Sequence, residues 1–299
     1  MTDPRALFVG DISWDTTLVV DHLPGPDEKV VASVFVDSIG GVTANAAIAC
    51  SLAGTSSTLV TGIGSDIAGR SAIAAAEKTG LMVNAHVSPD RSTCRAVITL
   101  DNSGEKRLVL APRAAMYPPL SAVQELDLDD VTWVHTALYD LDAAATLIQR
   151  CRERSVPWSI DLEPATIPAA LDELQPHLHG CTTVFANLRA AQRLGPSMAE
   201  DLSHLGVREL VQTLGPDGAR LTSDRQVTAV PAPNFSAPVR DTTGAGDALA
   251  GWFVSERVAG RAAEVALRTA VDAASYTVRL HGASASYPTR RALAAHAVQ

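Results

Sequence analysis

Short β-rich runs alternate with helical patterns through most of the 299 residues, and no other feature limits the possible folds so strongly. This alternation is the mark of βαβ units laid into a largely parallel sheet. The runs at 6–9, 58–61, 131–135, 158–161, 183–186 and 210–214 read as buried strands, and the Ala-rich stretches 44–53, 67–79, 142–154, 168–178 and 199–205 as helices between them. Two segments break the rhythm. Residues 16–36, ending in Val30-Val31-Ala32-Ser33-Val34-Phe35-Val36, and residues 94–111 read as strands with no helix between them. The turn Asp101-Asn102-Ser103-Gly104 divides the second segment into a hairpin. Paired together, they predict a small β lid, from about 12–36 and 94–111, projecting from the body. Beyond residue 244 the chain reads as helical at 245–258 and 261–279, and no Pro or Gly cluster separates a second domain. The expected fold is therefore a single domain over 1–299, a three-layer α/β/α sandwich around a mostly parallel sheet.

Composition narrows the function. The formal net charge is -9 and lysine occurs only at Lys29, Lys78 and Lys106, so no basic face awaits nucleic acid or an anionic membrane. Cys50, Cys94, Cys151 and Cys181 are scattered with no C-x-x-C pair, against both a zinc site and a disulfide framework. Thr2-Asp3-Pro4-Arg5 leads straight into a short apolar run, unlike a signal peptide, and no apolar stretch approaches the about 18 residues of a membrane span. A cytoplasmic protein is expected.

Chemistry concentrates in Asp241-Thr242-Thr243-Gly244-Ala245-Gly246-Asp247. Small residues at Gly244, Ala245 and Gly246, opening a helical pattern, bring backbone N–H groups to a helix N-terminus, where they can gather round an anion. Asp247 falls in the first turn, where the helix dipole favours an ionised carboxylate able to accept a proton. Phosphoryl transfer needs both parts. The alternative reading is a loop followed by an ordinary acidic first-turn residue.

That segment resembles the signature of the ribokinase family, the phosphofructokinase-B type of carbohydrate kinase, and further likenesses follow in order along nearly the whole chain. Gly10-Asp11-Ile12-Ser13-Trp14-Asp15 is similar to the family's first strand end, Gly40-Gly41-Val42-Thr43-Ala44-Asn45 to its Gly-Gly-x-x-x-Asn element, and Gly62-Ile63-Gly64-Ser65-Asp66-Ile67-Ala68-Gly69 to its Gly-x-Gly-x-Asp-x-x-Gly turn. Thr213-Leu214-Gly215-Pro216-Asp217-Gly218 resembles the nucleotide-side turn, and His281-Gly282-Ala283 with Ser286 resembles the loop bordering adenine and a monovalent cation.

The resemblance implies an ATP- and Mg²⁺-dependent kinase with Asp247 as base and Gly244, Ala245 and Gly246 around the migrating phosphoryl group. It implies acceptor contacts from Asp11, Asp15, Gly41 and Asn45, and nucleotide contacts from Asn187, Thr213, Gly215, Gly218 and Gly282. It further implies a K⁺ site near Asp241 and Ser286, and a homodimer through the lid. Asp66 reads as a helix cap, and Trp14, Val34 and Phe35 read either as site lining or as core.

The third glycine of Gly62-x-Gly64 falls too late for a dinucleotide fingerprint, and no lysine follows a glycine as a Walker loop requires. One departure concerns Asn187-Leu188-Arg189-Ala190, where the family commonly carries Asn-x-x-Glu. Either Glu163 supplies the missing charge or water-mediated magnesium suffices. The acidic pair Asp11 and Asp15 favours a neutral polyol, ribose-like or fructose-like, with Arg95, Arg107 and Arg113 weighing the other way. A nucleoside acceptor and a non-catalytic sensor are the alternatives.

Overall fold

The structure, a computed structural model, describes residues 5–101, 106–111, 115–168, 171–233 and 238–296. Positions 102–104 of the expected hairpin turn, and Arg113, lie outside them. In chain order the strands are β1 (Arg5–Val9), β2 (Ser13–Val19), β3 (Val34–Gly40), β4 (Ser56–Gly64), β5 (Met82–Ser88), β6 (Ala96–Leu100) and β7 (Lys106–Leu110). Then come β8 (Val131–Ala137), β9 (Trp158–Asp161), β10 (Thr183–Ala186), β11 (Glu209–Thr213), β12 (Ala219–Ser223) and β13 (Gln226–Val230). The helices are α1 (Val42–Leu52), α2 (Ile67–Glu77), α3 (Leu120–Gln124), α4 (Leu141–Arg154), α5 (Gln175–Leu178), α6 (Leu188–Leu194), α7 (Met198–His204), α8 (Ala245–Val258), α9 (Ala263–Thr277) and α10 (Arg290–His296).

Nine strands form one sheet in the order β13-β12-β11-β10-β9-β8-β1-β4-β5. It is parallel from β5 to β11, with β12 and β13 added antiparallel at one edge. Strand β1 shows why its members read as unbroken apolar runs. Ala6 and Phe8 join a core with α1, α8 and α9, while Leu7 and Val9 join another with α4 and α7 on the opposite face. Alternate side chains point to opposite faces, so a strand covered on both must be apolar throughout.

The other four strands form a second sheet in the order β3-β2-β6-β7. Its first part differs from the expected 12–36: the strands are 13–19 and 34–40, paired from Ser13↔Gly40 to Val19↔Val34. Residues 30–33 lie outside both strands, and Val31 is 89% exposed, because β2 has no length left to pair with them.

The expected helix over 168–178 is instead a 3₁₀ turn at Leu171–Leu174 followed by α5. Pro176 stands in the first turn of α5, the place where a missing N–H costs nothing, and so a helix begins there rather than continuing through.

Candidate active site

The C-terminal ends of the parallel strands β1, β8, β9, β10 and β11 border one cleft, lined there by Asp11, Tyr139, Asp161, Asn187 and Thr213. Such ends are where an open α/β sheet receives a ligand. A cavity of about 1140 Å³ opens there. It runs from the inner face of the small sheet, past the start of α8, to the turn after β11 and the loop at Gly282.

At the α8 terminus Gly244 takes φ 76°, a left-handed conformation that admits glycine without strain, and its carbonyl receives the N–H of Ala248 at 2.8 Å and the hydroxyl of Tyr287 at 3.0 Å. The N–H of Ala245 makes a long bond, 3.3 Å, to the carbonyl of Thr242. Gly246 is exposed to the cleft with nothing near the position of a side chain. First-turn N–H groups have no partners within their own helix, so this terminus offers donors to an anion. Asp247 lies half-buried beside them, and its Oδ2 accepts from Nδ2 of Asn45 at 2.8 Å. Asn45 comes from α1, so two helices about 200 residues apart in sequence are joined at this carboxylate. Its other amide atom, Oδ1, is buried with no hydrogen-bond partner.

In the small sheet Gly40 pairs with Ser13, and Asp15, paired with Ser38, leans over Gly40. A Cβ on Gly40 would overlap the Asp15 carboxylate, whose Oδ1 accepts from Ser13 Oγ at 2.6 Å. Gly41, at φ 100°, turns the chain into α1. Asp11 lines the cleft, yet its two carboxylate oxygens accept the N–H groups of Val42 and Thr43 at 2.8 and 3.0 Å. Its position is that of a brace for the start of α1. Burial raises its pKa, against the lowering effect of those hydrogen bonds.

Asp161 ends β9, and Glu163 follows two residues on; both line the cleft. Burial, and then the carboxylates of Glu163, Asp247 and Asp11, push Asp161 well above the ordinary carboxylate range. Tyr139, just past β8, is raised by burial and by the same group of acids. Among the described residues Arg279 is the one basic residue lining the cavity, at the far end beside Val278 and Gly282, while Arg95 and Arg107 are exposed elsewhere.

At that far end the expected Asn187, Thr213, Gly215, Gly218 and Gly282 all line the cavity. Asn187 caps α6 through its Oδ1, which accepts from the N–H of Ala190 at 2.9 Å, and Ala190 itself is fully buried in apolar surroundings. A carboxylate there would enter the core. Asp241 joins the two loops: its Oδ1 accepts from Thr243 N–H and its Oδ2 from Gly282 N–H, each at 2.9 Å. Ser286 sits behind the cavity wall, buried, with Oγ donating to the carbonyl of Ala283 at 2.7 Å.

Asp66 caps α2 by accepting from Gly69 N–H at 3.0 Å, as expected. Trp14, Val34 and Phe35 do not line the cavity. Sequence reasoning passed over Ser13, Ser38, Tyr139 and Asp161, and the inner lid residues Ala96, Ile98, Leu108 and Leu110, all of which do. A carboxylate at a strand end was the one available signal, at Asp161.

A carboxylate beside an anion-binding helix terminus, in a cleft spanned by a small sheet, is the site of a phosphotransferase with an alcohol acceptor. Residues 3–290 match the model of the pfkB family carbohydrate kinase, and the chain belongs to that family. It is 25% identical to the ribokinase of Bacillus subtilis, over 94% of this chain and 95% of that one. It is 24% identical to a nucleoside kinase of Methanothermobacter thermautotrophicus, over 96% and 93%. A bifunctional ribokinase/ribose-5-phosphate isomerase A of Fructilactobacillus sanfranciscensis is 26% identical, and this chain spans 55% of its length. In fold the chain is similar to Arabidopsis thaliana ribokinase solved with ribose and ATP, at a TM-score of 0.83, covering 99% of this chain and 98% of that one. No helix among the described residues is long and apolar enough to cross a membrane.

Proposed function

We propose that this enzyme transfers the γ-phosphoryl group of ATP to the primary hydroxyl of a small neutral sugar, ribose-like or fructose-like. The observation that carries the reading is Asp247, held by Asn45 beside the donor-rich terminus of α8, at the meeting point of the two halves of the cavity. Asp247 takes the hydroxyl proton as the sugar oxygen attacks the γ-phosphorus. The bond to the bridging oxygen breaks, and ADP departs with the electron pair. Backbone N–H groups at Gly244, Ala245 and Gly246 receive the charge on the migrating group.

Asp15, Gly41 and Asn45 hold the acceptor, with Asp11 fixing the start of α1 beneath it. Asn187, Thr213, Gly215, Gly218 and Gly282 hold the nucleotide. Mg²⁺ neutralises charge on the triphosphate in reactions of this kind. No group of three or more His, Cys, Asp or Glu among the described residues is arranged to hold a metal, so no step here is routed through a protein-held ion. Asp241 and the Ala283–Ser286 turn are the groups that would hold K⁺, whose contribution would be fixed positive charge beside the phosphoryl loop.

The carboxylates at the acceptor end, with no basic residue lining it among the described residues, support a neutral acceptor over a sugar phosphate. A nucleoside is the second reading, supported by the apolar inner lid face of Ala96, Ile98, Leu108 and Leu110, on which a base could lie. ADP release with Mg-ATP, in KCl and in choline chloride, across pentoses, hexoses, sugar acids, sugar phosphates and nucleosides tests these readings together. Turnover of a pentose or hexose supports the first, turnover of nucleosides alone replaces it with the second, and silence across the panel leaves a non-catalytic sensor.

A further inference from the structure

The carbonyl of Gly244 is held from two sides. Ala248 donates to it from within α8 at 2.8 Å, and Tyr287 donates through its hydroxyl from the loop after α9 at 3.0 Å. The second bond joins positions 43 residues apart, and among the described residues it is the only one the phenol makes. Tyr287 is 7% exposed, packs in the core that contains α8, and does not line the cavity, so it stands behind the cavity wall. The chain fixes it there: Pro288 follows and confines Tyr287 to extended backbone, found at φ -69° and ψ 131°. The fit is close, because a Cβ on Gly244 would overlap the phenol oxygen and Ala283. A buried tyrosine hydroxyl ordinarily finds some partner, and a merely packed core tyrosine is the plain alternative.

The choice of partner gives the bond its meaning. The carbonyl and N–H of one peptide are fixed in a plane and point in opposite directions, so whatever holds the oxygen of Gly244 also aims the N–H of Ala245. With the carbonyl drawn back toward Ala248 and Tyr287, that N–H points out of the helix end, and Ala245 lines the cleft there. Its bond to the carbonyl of Thr242, at 3.3 Å, is long, which leaves it disposed to receive an anion. Glycine lets the torsion before this peptide swing freely, so the helical bond alone would leave it loosely aimed. We infer that Tyr287 is a positioning residue of phosphoryl transfer: its hydroxyl sets the plane of the Gly244–Ala245 peptide and so turns the Ala245 N–H toward the migrating phosphoryl group. It also completes a reciprocal tie, since Asp241 beside this terminus accepts from Gly282 of the loop, and Tyr287 of the loop donates back to Gly244. The inference rests on the phosphoryl-transfer reading of the α8 terminus.

Tyr287→Phe removes one oxygen and keeps the ring, so it isolates the bond. A misaimed donor loses less than the about 10²-fold that follows when an oxyanion donor is removed, so kcat with D-ribose is expected to fall about tenfold, with KM for ATP and ribose within about twofold of wild type. Calorimetry should give the same affinity for Mg-ADP in both proteins, whereas the affinity gained on adding aluminium fluoride and D-ribose, a mimic of the phosphoryl group in flight, should shrink in the variant by the same factor as kcat. The amide of Ala245, followed by ¹⁵N NMR in the ligand-free protein, should shift and broaden while amides at the far end of α8 stay in place. A merely packed tyrosine predicts a lower melting temperature with equal changes in ADP affinity with and without fluoride. That result, an unmoved Ala245 amide, or a variant whose kcat and fluoride gain match wild type overturns the inference and leaves the phosphoryl reading intact. A wild type that gains nothing from fluoride, with D-ribose or with any other sugar or nucleoside of the panel, sinks the phosphoryl reading itself and the inference with it.

Discussion

At the scale of single residues, the proposed chemistry hangs on Asp247. Replacing it by asparagine keeps the size of the side chain and removes the base, so kcat is expected to fall by about 10² to 10⁴ while the melting temperature and ATP affinity stay near wild type. Retention of more than about a tenth of the rate would remove Asp247 from its role. Asp161 makes a thermodynamic prediction that needs no turnover. Unfolded, it ionises in the ordinary range near about 3.9, whereas in the folded protein burial and three neighbouring acids raise it well above that. The folded state then binds the extra proton, so this group's stabilising contribution is complete at low pH and is lost as pH rises through the folded value. Melting temperature in the wild type should therefore decline toward alkaline pH more steeply than in Asp161→Asn, and parallel curves would contradict the assignment of the shift. Much of the site was legible because its residues occupy short contiguous motifs: Gly244 to Asp247 opens a helix as its small residues and acidic first turn suggest. Asp161 and Tyr139 were hidden because the one ends and the other follows an ordinary buried strand, and only the sheet brings the two strand ends together.

Among the elements, α1 and α8 carry the two halves of the acceptor site and cross at close range. Gly251 of α8 lies over the carbonyl of Ala46, and any Cβ would press on that backbone and on Ala49. Gly251→Val should destabilise the protein by about 1–3 kcal/mol, read from urea unfolding, and should lower kcat as well, because Asn45 and Asp247 would part. A variant as stable as wild type would show that the crossing has slack. The central parallel strands and the helices between them were readable because both sheet faces are covered and the apolar runs are continuous. The β12–β13 hairpin was not. Its two-residue turn, Asp224-Arg225, takes positive φ at 47° and 64° without the Asn-Gly or Asp-Gly pair that usually announces such a turn. Strand β3 was misplaced for a related reason. The valine run at 30–31 looks more strand-like than Asp37-Ser38-Ile39-Gly40, yet pairing with β2 selects the latter.

For the whole molecule, the small sheet has two faces with different tasks. Near the body its outer face packs through Ile39 and Trp14 onto the core, whereas further out Phe35, Val97 and Val109 stand 68%, 45% and 70% exposed. The homodimer through the lid that the family resemblance implies would cover this apolar patch with a second copy. Val109→Glu should then halve the mass seen by light scattering without altering the melting temperature of the monomer, and an unchanged dimer would place the interface elsewhere. The inner face carries Ser13, Asp15 and Ser38 to the acceptor, while Asp247 and the phosphoryl terminus belong to the body. In the reading proposed above, a sugar held by Asp15 on the sheet and facing Asp247 on the body is a latch between the two parts. A water molecule is too small to span both parts, so in that reading Mg-ATP alone should be hydrolysed far more slowly than it is consumed with the acceptor.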